Sequence, residues 1–93
     1  MIKSFAARET ANLYSTGRSR KFPPTVCKTG IRKLDYLNAA KGLKDLRIPP
    51  GNRLERLKGK HKGKYSIRVN DQYRIVFRFV DRDAHDVEIT DYH

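Results

Sequence analysis

Apolar and polar positions change their period once along this chain, and the change divides it. Over residues 25–46, Val26, Ile31, Leu34, Leu37, Ala40 and Leu43 recur at three- and four-residue spacing. That stripe predicts an amphipathic helix. Its other face is assigned Lys28, Arg32, Lys33, Lys41 and Lys44, and Gly30 and Gly42 weaken it slightly. A shorter helix is expected over residues 6–16, where helix formers run up to a stop at Gly17. The opening MIKSF suits a first edge strand, and RSRKFPP reads as a loop whose prolines oppose both helix and ladder.

After the break RIPPGN the period falls to two. In KYSIRVN, Tyr65, Ile67 and Val69 alternate with Ser66, Arg68 and Asn70. In QYRIVFRFV, Tyr73, Ile75, Phe77 and Phe79 alternate with Arg74, Val76 and Arg78. Two such runs around Asn70, Asp71 and Gln72 predict an antiparallel hairpin. Opposed residues share a face, so a three-residue loop pairs Val69 with Tyr73, Ile67 with Ile75 and Tyr65 with Phe77. The same register sets Arg68 opposite Arg74 on the other face. The closing DVEITDYH is a final strand of that sheet, with Val87 and Ile89 inward.

Composition narrows the partners more than the fold. The chain has 93 residues, room for one domain spanning 1–93. Its formal net charge is +11, which predicts a polyanionic partner. Residues 1–80 hold 20 of the 21 Lys and Arg against five of the ten acids. The densest run, RLERLKGKHKGK, includes Arg53, Arg56, Lys58, Lys60, Lys62 and Lys64. So many like charges in sequence repel unless a polyanion lies among them, although a solvated loop is the plainer alternative. One cysteine, Cys27, excludes an internal disulfide and fits a reducing compartment. No apolar run approaches the roughly 18 residues of a membrane span, and MIKSFAARE lacks a signal-peptide core, so a cytoplasmic location is expected.

Opposed arginines cost stability, and a sheet can simply tolerate them. Alternatively both forks await an anion, because guanidinium matches phosphate bidentately and stays charged. There is no HExxH, CxxC, GxxxxGK[ST] or GxGxxG, so neither a metal nor a nucleotide loop is expected. His61 and His85 read as ordinary surface or core histidines. His93 has Asp91 and Tyr92 beside it on a strand that could border the arginine face. RNA brings its own nucleophile, the ribose 2′-OH. A metal-free enzyme then needs a base, cations for the developing charge, and an acid for the departing 5′-oxygen. Arg68 and Arg74 are limited to charge stabilisation and positioning. His93 and Lys58 are candidate proton carriers.

The run NRLERLKGKHKGKYSIRVNDQYRIVFRF, followed by VEITDYH, resembles the HigB/GraT-type plasmid-maintenance killer branch of the RelE-like toxins. LKG or DYH alone is weak; LKG, SIRVNDQYR and DYH in this order are specific, and MIKSF, PPGNRLE and the chain length also fit. The resemblance implies an α+β fold, a compact domain with two N-terminal helices on a twisted, mainly antiparallel sheet of about four to five strands. It implies the toxin of a type II toxin-antitoxin system, a ribosome-dependent endoribonuclease cutting mRNA in the ribosomal A site without metal or cofactor. Site positions carry over onto Lys58, Arg68, Arg74, Asp91, Tyr92 and His93. Arg18, Arg20, Lys21, Arg53, Arg56, Lys60, Lys62 and Lys64 are then expected to face ribosomal RNA. A HigA-like helix-turn-helix antitoxin is the implied partner, with DNA contacted only through it. One departure is Tyr73, where relatives often carry Trp. Two other readings stay open: a non-catalytic ribosome- or RNA-binding module, and a gyrase-poisoning relative on the same fold.

Overall fold

A computed structural model describes residues 1–91; the expectations for Tyr92 and His93 lie outside the described residues. Three helices, α1 (Arg8–Thr16), α2 (Pro24–Ala39) and α3 (Leu43–Arg47), precede four strands. These are β1 (Glu55–Arg56), β2 (Tyr65–Arg68), β3 (Tyr73–Val80) and β4 (Asp83–Asp91), antiparallel in the order β1-β2-β3-β4.

The β2–β3 register is the one that alternation requires. Tyr65 pairs with Phe77, Ile67 with Ile75 and Arg68 with Arg74, and the Val69 amide donates to the Tyr73 carbonyl at 3.0 Å. Asn70 closes the loop, its Oδ1 accepting from the Gln72 and Tyr73 amides at 2.9 and 2.7 Å, an Asx turn. Inward residues of the sheet, Ile67, Ile75, Phe77, Val87 and Ile89, meet Leu13, Val26, Leu34 and Leu37 from the helices in one core. Each such side chain contributes about 1.5–3 kcal/mol by leaving water.

The predicted helix over residues 25–46 is two helices. It begins one residue earlier, with Pro24 at the first helical position, where the missing N–H is not needed. It ends because Ala40 adopts an extended conformation (φ −66°, ψ 131°). The Asp45 carboxylate then accepts the Lys41 amide at 2.9 Å and starts α3. Ala40 and Leu46 are both buried, so the three-residue apolar spacing runs on across the break and conceals it. Lys33 is also not on the solvent face assigned to it. On a 3.6-residue period it lines up with Val26, Gly30 and Leu37, and it is only 6% exposed. Gly30 is less a weakness than a clearance: a Cβ there would lie 3.1 Å from Ile89 Cδ1.

Residues 1–5 do border the sheet, but as two isolated parallel bridges to β4, Ile2 with Ala84 and Phe5 with Val87. The ladder is interrupted by a bulge. Register shifts by one between Val76 opposite Glu88 and Arg78 opposite His85, and Asp86 takes φ +53°. Ser4 Oγ accepts the Asp86 amide at 2.8 Å. The β3–β4 hairpin turns on Asp81 and Arg82, both at positive φ (49° and 73°), the two-residue geometry that usually recruits Asn-Gly. No helix among the described residues is long and apolar enough to cross a membrane.

Candidate active site

The face of the sheet turned away from the helices carries two cross-strand rows. Glu55, Ser66, Val76 and Glu88 form one, and Arg68, Arg74 and Thr90 the next. Together with Arg53, Asn70 and Asp71, the residues Glu55, Arg68 and Arg74 of these rows line an open cleft of about 300 Å³. The two arginines singled out from the alternating pattern therefore share one concave surface.

Arg74 is held rather than merely present. Its Nε donates to Ser66 Oγ at 2.7 Å, and its Nη2 donates to the Arg53 carbonyl at 2.6 Å. A longer contact reaches the Ser66 carbonyl at 3.4 Å, and Glu55 Oε1 lies 3.8 Å away. The side chain is 12% exposed, so its stem is covered while its guanidinium borders the cleft. Arg53 reaches it because its backbone is left-handed (φ 44°), which turns the chain out of the 3₁₀ turn Pro50–Asn52. Arg68 is looser: its Nη2 pairs with Asp71 in the hairpin loop, and Asp71 is fully exposed. An incoming phosphate can displace such a surface partner at little cost.

Lys33 and Asn52 are buried, and Asn52 directly precedes the Arg53 that lines this cleft. Lys33 Nζ donates to Asn52 Oδ1, and Asn52 Nδ2 donates to the Leu46 carbonyl at 3.2 Å, with Asn52 fully buried. Burial, then the positive charges of Arg32 and Arg68, hold the Lys33 pKa below the usual lysine value.

The remaining candidate residues are spread more widely. Lys58 is exposed at the start of the 3₁₀ turn Gly59–His61, where its carbonyl accepts the His61 amide at 3.3 Å; it is not among the cleft-lining residues. Asp91 pairs with Tyr73 across the ladder and accepts from Gln72 Nε2 at 2.9 Å. By alternation it follows Ile89 rather than Thr90 and Arg74. Arg56 stacks over the Tyr65 ring at 5.8 Å, and with Lys62 it borders a second hollow of about 220 Å³. Arg18 and Arg20 line a third, of about 410 Å³, with Glu9, Asn12 and Ser19. Lys21, Arg53 and Lys60 are exposed and Lys64 is half-buried. The basic side chains thus surround the fold on several sides, and three of them, Arg53, Arg68 and Arg74, meet at one cleft.

Sequence reading missed Ser66, the Arg53 carbonyl as an acceptor in the site, Glu55, Asp71 and the Lys33–Asn52 pair. Ser66 was findable, since alternation places it one pair from Arg74. The carbonyl of Arg53 carries no side-chain signal.

The family described as the RelE-like toxin of the type II toxin-antitoxin system HigB matches residues 3–93. The chain belongs to this family. Toxin HigB-1 of Vibrio cholerae serotype O1 is 53% identical over 64 residues, 69% of this chain and 67% of that protein. An uncharacterized protein of Haemophilus influenzae is 40% identical over 67 residues, 72% of this chain and 66% of that protein. Among solved structures, the YoeB–YefM complex from Staphylococcus aureus superposes with a TM-score of 0.56 at 20% identity, covering 100% of this chain and 98% of that one. A YafQ mutant from E. coli gives 0.58 at 12% identity, covering 98% and 93%. At such identities these two matches speak for the fold alone, and the RelE-like α+β fold expected of the family is the one observed.

Proposed function

We propose that this HigB-family toxin is a ribosome-dependent endoribonuclease that cuts mRNA in the ribosomal A site and so arrests translation in the cytoplasm. The observation that carries the reading is the convergence of Arg68 and the pinned Arg74 on one cleft, in a chain of this family. Two guanidinium groups across a ladder repel, and a phosphodiester is the ligand that turns this cost into binding.

In this reading the RNA 2′-oxygen attacks the adjacent phosphorus. A 2′,3′-cyclic phosphate forms and the bond to the 5′-oxygen breaks. A base takes the 2′-hydroxyl proton and an acid protonates the leaving 5′-oxygen. Arg74 stabilises the charge that develops on the non-bridging oxygens, and Arg68 orients the phosphate beside it. Lys58, Tyr92 and His93 form the set that moves the two protons, while Asp91 orients a neighbouring group. Arg18, Arg20, Lys21, Arg53, Arg56, Lys60, Lys62 and Lys64 give sequence-independent, salt-sensitive contacts to ribosomal RNA. No metal or other cofactor is invoked.

The partner that would restrain this activity is an antitoxin of the HigA-like helix-turn-helix kind, through which alone the toxin would meet DNA. A fold-related toxin has been solved in complex with its own partner, YoeB with YefM. The deciding experiment adds purified protein to a translating extract and maps mRNA 5′ ends with and without functional ribosomes. Cuts that need ribosomes and vanish in Arg74→Ala and His93→Ala support the reading. Growth inhibition with intact mRNA would refute it and favour a binding module.

A further inference from the structure

A lysine buried on the apolar stripe of a helix calls for an explanation. Leu or Met at position 33 would fill the same space without taking an ammonium out of water. The side chain that receives Lys33 Nζ is a neutral amide, Asn52, and the charged groups that bear on it most, Arg32 and Arg68, are positive. Among the described residues no carboxylate forms an ion pair with it, which makes a purely structural role for it an expensive one.

Asn52 links that lysine to the cleft. It is fully buried and bonded on both sides, to Lys33 from α2 and to the Leu46 carbonyl from α3. The next residue, Arg53, turns left-handed and offers its carbonyl to Arg74 Nη2 at 2.6 Å. A shift of the 3₁₀ turn Pro50–Asn52 would therefore move an acceptor that helps to fix the Arg74 fork. We propose that Lys33 is a positioning residue: through Asn52 it fixes this turn, and the Arg53 carbonyl then holds the Arg74 guanidinium ready for a phosphate. The proposal rests on the reading of the cleft as a phosphate site, but its mechanical part does not.

Two measurements separate these parts. In the first, ¹⁵N-labelled protein alone is used, and solvent exchange of the Arg74 Nη2–H, the group that the Arg53 carbonyl accepts from, is followed. In the parent this group is bonded to the Arg53 carbonyl at 2.6 Å and is expected to exchange slowly. In Lys33→Met, which keeps the side chain's length, exchange is expected to rise on the order of tenfold, while the amide signals of Ile75 and Ile89 stay in place. Asn52→Leu is expected to do the same, and the double variant to be no worse than either alone, because both changes cut one relay. In the second measurement, mRNA cleavage on ribosomes is expected to fall roughly 10- to 100-fold in kcat with KM little changed, since the exposed basic residues that dock the protein are intact.

Unchanged Arg74 exchange in a folded Lys33→Met protein overturns the proposal, as does an additive double variant. Should Lys33→Met fail to fold, Lys33→Leu, which likewise removes the donor to Asn52, carries the same outcomes. If exchange rises but the parent itself cuts no RNA, the positioning stands and the nuclease reading fails.

Discussion

Removing the Ser66 hydroxyl tests the site at its best-defined contact. Ser66 is fully buried in β2, and its Oγ accepts from Arg74 Nε at 2.7 Å. Hydrogen bonds to charged groups contribute about 1.5–3 kcal/mol, and a buried donor left without its acceptor loses most of that. In Ser66→Ala the Arg74 Nη2 keeps the Arg53 carbonyl, so we expect a loss near the lower end, about 2 kcal/mol. For a domain of this size that lowers Tm by roughly 8–16 °C. The guanidinium is also held less firmly, and cleavage on ribosomes should fall by on the order of tenfold or more. Thermal unfolding by circular dichroism and primer-extension mapping of mRNA ends read the two effects. Arg74→Lys is a companion, because a point charge cannot occupy the Nε and Nη2 positions together. A folded Ser66→Ala protein with Tm within about 2 °C of the parent and full cleavage would refute the idea that Arg74 is held through Ser66.

Asp71→Asn releases Arg68 from its fully exposed partner, so affinity for a short RNA should rise with Tm unchanged; weaker binding by fluorescence anisotropy would contradict this. Replacing Lys60 and Lys62 together by Gln should reduce the slope of log affinity for ribosomes against log salt by about 2. Tyr14 donates to Asp35 Oδ1 at 3.0 Å, and burial, then that bond and the carboxylate charge, push its pKa up to about 12. A raised tyrosine pKa contributes stability that is complete below pH 10 and lost as pH climbs from 10 to 12. The stability difference between the parent and Tyr14→Phe, on the order of 1–2 kcal/mol, should therefore shrink across that window in urea titrations. Arg82→Gly places glycine at φ +73° and should stabilise the β3–β4 hairpin by about 1 kcal/mol, read as a higher urea midpoint.

The hairpin was legible because alternation and a single side of burial fix a register outright: a slip of one residue would turn Ile67 and Ile75 out to solvent. Helix α2 was legible in its stripe and illegible at its end. Ala40, Leu43 and Leu46 keep helical spacing whether or not the backbone between them is helical, and what ends α2 is the extended backbone at Ala40, with Asp45 then reaching back to Lys41. Lys33 was misplaced for a different reason. Residue type argued for solvent, whereas its angular position argued for the core, and the geometry prevailed because Asn52 could receive it. The site shows the same division. Arg68, Arg74 and Ser66 follow from period two, but the Arg53 carbonyl and Glu55, which also hold Arg74, come from a segment whose sequence shows no such period.

That division bears on how the cleft can exist. An arginine opposite another arginine on an open sheet would turn away into water and leave no defined site. Here one of the pair is anchored by a buried hydroxyl and a backbone carbonyl, and the other is held by an exposed, displaceable carboxylate. In the proposed reading the anchored fork would set where an anion binds and the looser one would close on it, giving up Asp71 as it did so. Fixing both would raise the standing repulsion, and freeing both would forfeit the several kilocalories of orientation that a bidentate phosphate contact requires. On that reading the irregular segment between α3 and β1 would be the part of the fold that turns a repulsive pair into a site, and mutations there should impair cleavage more than their effect on Tm suggests.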